Sequence, residues 1–133
     1  LGFIAVPAGK IANKIGNSQA MLIGLLTTTF FLQVLVLNNI NSIIFLILIA
    51  IICGFSLILN GAIPFVLNLV PQQDSGLGIG TYFCGFGIAI SLFEFIFAKL
   101  GETNLEIGSI ASTIAFLFAF LLIAISSQIP NPR

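Results

Sequence analysis

The sequence predicts an all-α fold, a polytopic bundle of transmembrane helices, and three observations predict it. Hydrophobic residues make up 59% of the chain and charged residues only 6%, whereas a soluble domain carries roughly 25% charged residues. The apolar residues gather into uncharged runs of about 20 residues, enough for a helix to cross roughly 30 Å of hydrocarbon. Those runs lack the strict two-residue alternation of a transmembrane β-barrel, whose strands are about ten residues long. Four basic and four acidic side chains cannot clothe 133 residues in a polar surface, so lipid must replace water over most of the exterior.

Taken in order, residues 1–8 read as the tail of a helix too short to span, and residues 9–18 as a polar loop holding Lys10, Asn13, Lys14 and Asn17. Residues 19–37 form the first full span. Asn38, Asn39, Ile40, Asn41 and Ser42 make a tight turn. The longest run, residues 43–70, would measure about 42 Å as a helix and must tilt, kink or protrude. Pro64 supplies a kink, since it has no N–H to donate. Residues 71–76 form a loop, 77–98 a span, 99–106 a polar connection, 107–126 the last span, and 127–133 a Pro-containing tail. The chain starts at Leu1 without a basic leader segment, so we expect a piece of a longer membrane protein. Lys10, Lys14 and Arg133 fall on one side of the bilayer and Lys99 on the other. By the positive-inside rule this puts the 9–18 loop and the C-terminus in the cytoplasm.

Composition also bounds the chemistry. A net charge of zero offers no basic patch for nucleic acid. The chain has no His, which removes the commonest metal ligand and general acid–base; no metal, cofactor or enzymatic activity is expected. Cys53 and Cys84 lie inside apolar runs and read as small packing residues.

Gly9-Lys10-Ile11-Ala12-Asn13-Lys14-Ile15-Gly16-Asn17 resembles the signature loop of the major facilitator superfamily, Gly-x-Leu-Ala-Asp-Arg-x-Gly-Arg. The two glycines, the aliphatic, the alanine and the first basic residue fall in register. Asn13 stands where the family has an acid, and Asn17 where it has its last basic residue. The passage from Gly61-Ala62-Ile63-Pro64 through Pro71-Gln72-Gln73-Asp74 to Gly76, Gly78 and Gly80 is similar to the family's tenth-to-eleventh helix region. The resemblance covers nearly the whole chain. It implies most of one six-helix half, favouring the C-terminal half because the signature is degenerate and residues 77–98 hold no proline. Among branches, the sugar–cation symporters and the related light-harvesting pigment carriers look most alike. The implied partners are the lipid bilayer, a small-molecule substrate and the N-terminal half of the same chain, in a plasma (inner) or thylakoid membrane.

Polar groups in lipid are costly, so each one inside a span is a candidate. Ser56, Asn60 and Asn68 share a four-residue stripe with Pro64. Asn60, Gln33 and Ser56 are the expected lining of a substrate cavity, with Asn60 placed near mid-membrane by its distance from the end of its helix. The alternative is an interhelical clamp. Thr27, Thr28 and Thr29 can bond their own backbone, and Tyr82 suits an interfacial anchor. Glu94, the sole acid within a span, is a candidate for coupling; it also lies near the outer boundary, within reach of Lys99. Gly76, Gly80, Cys84 and Gly87 read as a helix-packing surface on the 77–98 span. A dinucleotide loop is excluded there because no soluble strand precedes it.

The expected function is that of a secondary active transporter, moving a small solute by alternating access. The alternative is a non-transporting assembly factor or pigment carrier of the same fold. A polar mid-membrane cavity would favour the first and an apolar groove open to lipid the second.

Overall fold

The computed structural model describes residues 2–37, 41–101 and 105–128. Five helices follow in order: α1 (Gly2–Ile15), α2 (Asn17–Leu37), α3 (Asn41–Leu69), α4 (Ser75–Leu100) and α5 (Leu105–Ser126), with a 3₁₀ turn at Gln72–Asp74 between α3 and α4. Helices α2 to α5 are each long and apolar enough to cross a membrane. Leu1, Asn38 to Ile40 of the predicted turn, residues 102–104 and most of the predicted tail, Arg133 included, lie outside the described residues.

The distribution of side chains is the reverse of a soluble protein's. Most buried positions belong to small or hydroxylic residues such as Ala8, Ala12, Ala20, Ala62, Thr28 and Ser56, with Met21, Leu25 and Ile47 among them, while Leu37, Phe45, Leu77 and Val6 are exposed. Water would drive those large side chains inward. Hydrocarbon removes that drive, and helices then associate through close backbone approach at small residues. The chain is an integral membrane helical protein.

Helix α2 is the hub, packing against α1, α3 and α5. Its contact with α3 is the closest in the bundle. A Cβ built on Gly24 would lie 2.6 Å from the Gly54 carbonyl oxygen, and one on Gly61 would lie 2.6 Å from Met21 Cγ. Helix α4 stands apart. It meets α3 near its own start, where Gly78 is buried against Val66 and Val70, and most of its remaining length is exposed.

The chain around the predicted 9–18 loop differs from expectation. Helix α1 runs through Lys10, Asn13 and Lys14 to Ile15, and α2 begins at Asn17. The joint is Gly16 alone, at φ 97°. Its N–H donates to the Ala12 carbonyl at 2.9 Å, closing α1, and its own carbonyl accepts from Ala20 N–H at 2.9 Å, opening α2. Lys10, Asn13 and Lys14 are exposed while Ala8 and Ala12 are buried. The polar residues therefore mark the outer face of a helix, which a reading by polarity alone mistakes for a loop. Elsewhere the helices extend past the predicted spans: α4 starts at Ser75 and reaches Leu100, taking in Gly76 and Lys99.

Candidate functional site

Ser56 and Asn60 form one polar unit on α3. The Asn60 amide Nδ2 donates to the Ser56 carbonyl at 2.8 Å and to the Ser56 hydroxyl at 3.3 Å. Ser56 is 1% exposed; Asn60 is half-buried. Pro64 lies four residues further on within the same helix, so the Asn60 carbonyl receives no i+4 N–H bond. One turn of α3 thus carries an amide, a hydroxyl and a backbone carbonyl released from the helical ladder. Across from it is α1: a Cβ on Gly9 would sit 3.7 Å from Asn60 Oδ1. Asn68, on the same stripe, is exposed.

The depth of Asn60 differs from the one counted along α3. Its neighbour Gly61 lies against Asn17 and Met21, so Asn60 is level with the first turn of α2 rather than with its middle. The physical reason is length. Helix α3 has 29 residues, about 43 Å, and overhangs its partner, so its end does not mark the boundary that α2 marks.

Gln33 stands elsewhere. Its Nε2 donates to the Ser109 carbonyl at 3.3 Å and makes a short contact with the Thr113 hydroxyl, both on α5. Gly24 and Gly54 mark the same level on the two helices. Gln33 lies nine residues from it in one direction and Asn60 six in the other, a separation of about 22 Å along the axes. Of the three expected cavity residues, Ser56 and Asn60 come together and Gln33 does not. Gln33 joins α2 to α5. Replacing it with Leu should weaken the bundle by about 0.6 kcal/mol, the average for an interhelical hydrogen bond in a membrane, and by no more than about 1.7 kcal/mol. The check is reversible unfolding in mixed micelles, with Thr113→Val in a double-mutant cycle; strict additivity of the two would show that they do not interact.

Glu94 is exposed on α4. Lys99 places its Nζ 4.8 Å from the centroid of the Phe95 ring, a cation–π contact. Along the expected packing ridge, a Cβ added at Gly76, Gly80 or Gly87 would meet no protein atom within 4 Å, and Cys84 is exposed. No other element of the described chain occupies that ridge. Gly80 and Cys84 line instead an open, mostly apolar groove of about 520 Å³, bounded also by Leu77, Thr81, Gly85 and Ile88. A second groove, about 370 Å³ and wholly apolar in its side chains, lies between α4 and α5 and includes Phe93, Phe97, Ala111 and Ala115.

The glycines that do mediate close packing are Gly24, Gly54 and Gly61 at the α2–α3 crossing and Gly78 where α4 meets α3. On α2 the signal is small residues at four-residue spacing, Ala20, Gly24 and Thr28, all of them buried. Within the signature-like segment, Gly9 and Ala12 turn toward the bundle and Lys10, Asn13 and Lys14 turn away. The segment's small residues serve packing and its polar ones face outward. Comparison with protein-family models, curated proteins and solved structures finds no match.

Proposed function

We propose that the chain is part of a secondary active transporter for a small solute, working by alternating access. The observation that supports this reading most is the Ser56–Asn60 unit beside Pro64. Polar groups and interrupted helical ladders are costly in hydrocarbon, and carriers build solute sites beside broken helices; here the unit lies toward one membrane face, level with the first turn of α2. On this reading Asn60 and Ser56 contact the solute, and α1, packed over Asn60 at Gly9, must move aside to admit it. The resemblance of residues 9–17 to the major facilitator signature adds to it, with α1 and α2 as the second and third, or eighth and ninth, helices of the family. The Gly16 joint and the C-terminus then face the cytoplasm. Glu94 would carry a coupling proton.

The test is counterflow of radiolabelled sugars into vesicles carrying the full-length protein. Asn60→Leu is expected to reduce exchange at least about tenfold, equivalent to about 1.4 kcal/mol of lost solute contact, while the protein still inserts and elutes as a single species. Glu94→Gln should abolish proton-driven uptake and leave exchange intact. Wild-type exchange in Asn60→Leu would remove Asn60 from the solute path.

The two apolar grooves on α4 favour a second reading, a non-transporting assembly factor or pigment carrier. It expects no counterflow by the full-length protein for any small solute, together with co-purification of an apolar pigment or protein partner.

A further inference from the structure

Helix α4 is packed at its start and open along the rest of its length. At its start Gly78 is buried against Val66 and Val70, and a Cβ there would come within 2.9 Å of Val70 Cγ2. At its end, Gly101 at φ 74° leads within a few residues into α5. Between these points α4 and α5 do not pack extensively; the 370 Å³ groove separates them.

The two walls of that groove are complementary. On α4, Phe93 and Phe97 are one helical turn apart, and their rings stack with centroids 6.0 Å apart. On α5, Ala111 and Ala115 are also one turn apart and form the low part of a wall flanked by Ile107, Ile114 and Phe118. The two rings therefore share the groove with two alanines set between bulkier side chains. Helix α5 is fixed from behind: Ser109 and Thr113, on its opposite side, meet Gln33 of α2. The free wall is α4.

We propose that α4 is a strap that closes laterally onto α5, seating the Phe93 and Phe97 rings in the notch formed by Ala111 and Ala115. In hydrocarbon there is no hydrophobic drive for this step, because lipid tails are as apolar as the side chains; fit decides it. Rings against small residues permit dense packing, whereas an open groove filled by mobile acyl chains forfeits part of that dispersion contact. The closure stands whether or not the protein is a carrier.

The experiment uses the full-length protein in membrane vesicles, with every native cysteine, Cys53 and Cys84 included, replaced by alanine. Cysteine pairs Phe93→Cys with Ala115→Cys, and Phe97→Cys with Ala111→Cys, are oxidised with copper–phenanthroline. Free thiols are then counted by maleimide–polyethylene glycol gel shift. Both pairs are expected to lose their thiols, while Phe95→Cys with Ala115→Cys, on the far side of α4, retains them. Retention of thiols in both groove pairs, as a lipid-filled groove would give, overturns the proposal; so does equal oxidation of the Phe95 control. A second variant guards against loss of the rings themselves. Ala115→Phe fills the notch and should slow oxidation of the Phe97–Ala111 cysteine pair at least about fivefold. An unchanged rate would also overturn closure.

Discussion

Gly54→Val and Gly24→Val should each separate α2 from α3, with a large loss of stability. A Cβ on Gly24 would sit 2.6 Å from the Gly54 carbonyl oxygen, 3.0 Å from Ile58 Cγ1 and 3.1 Å from Leu57 Cβ. A Cβ on Gly54 would meet Thr28 Oγ1 at 2.6 Å and the Gly24 carbonyl at 3.0 Å. The obstacles include the facing backbone on each side, the Gly54 carbonyl for Gly24 and the Gly24 carbonyl and Thr28 N–H for Gly54, so side-chain rotation alone cannot relieve the clash and the helices must move apart. Overpacking of this kind costs about 1–3 kcal/mol and at times more. Replacing a helical glycine by alanine recovers only about 0.5–1 kcal/mol of backbone entropy, so even Gly24→Ala should be net destabilising. The comparison that isolates the effect is Gly80→Ala and Gly85→Ala on α4, where nothing lies within 4 Å; these should be neutral or slightly stabilising. Unfolding by steric trapping or SDS titration in micelles measures both sets. Equal responses from the two would mean that the α2–α3 crossing is not where the bundle is held.

Thr28 gives this crossing a second character. Its hydroxyl oxygen is buried without a hydrogen-bond partner, while its neighbour Thr29 donates to the Leu25 carbonyl at 2.7 Å. Two adjacent threonines thus differ: one follows the back-bonding habit of helical threonine, the other sits against Gly54. Such an oxygen can accept a weak Cα–H contact from the facing glycine, a recurring feature where helix backbones approach closely.

The helices themselves were legible because their signal is composition sustained over about 20 residues, which needs no tertiary information. What escaped was the difference between a polar loop and a polar helix face. Lys10, Asn13 and Lys14 fall close together in the chain, and only the burial of Ala8 and Ala12 on the other side reveals the helix. The packing glycines were misplaced for a related reason. Helix α4 has the denser glycine run, but density says nothing about which helix faces a partner. The sparser Ala20, Gly24 and Thr28 line carries the contact. Gln33 was marked by its polarity, yet its partners on α5 lie 76 and 80 residues further along the chain, beyond any local pattern. The Ser56–Asn60 link was readable in outline, since four-residue spacing places both on one face. Its depth was not, because an overhanging helix gives no fixed zero from which to count.

Gly16→Val should detach α1 from the bundle while leaving α2 and α3 paired. At φ 97° a β-branched residue is strained whatever room surrounds it, at a cost of about 1–3 kcal/mol. No atom lies within 4 Å of a Cβ at Gly16, so the effect is conformational and not a clash. One residue both ends α1 and begins α2, so the strain can be relieved only by unwinding one of the two helices. Helix α2 is held by α3 and α5; α1 is held through the small residues Ala8, Gly9 and Ala12, and it should yield. The expected result is faster maleimide labelling of a cysteine placed at Ala12, which is 1% exposed, with unchanged labelling of one placed at Ala20. Asn13→Asp supplies the contrast, since Asn13 is exposed and the change introduces a charge without touching the backbone. It should leave labelling at Ala12 as it is. If Asn13→Asp loosened α1 and Gly16→Val did not, the segment would act through its charge, and Gly16 would not be the joint its φ makes it.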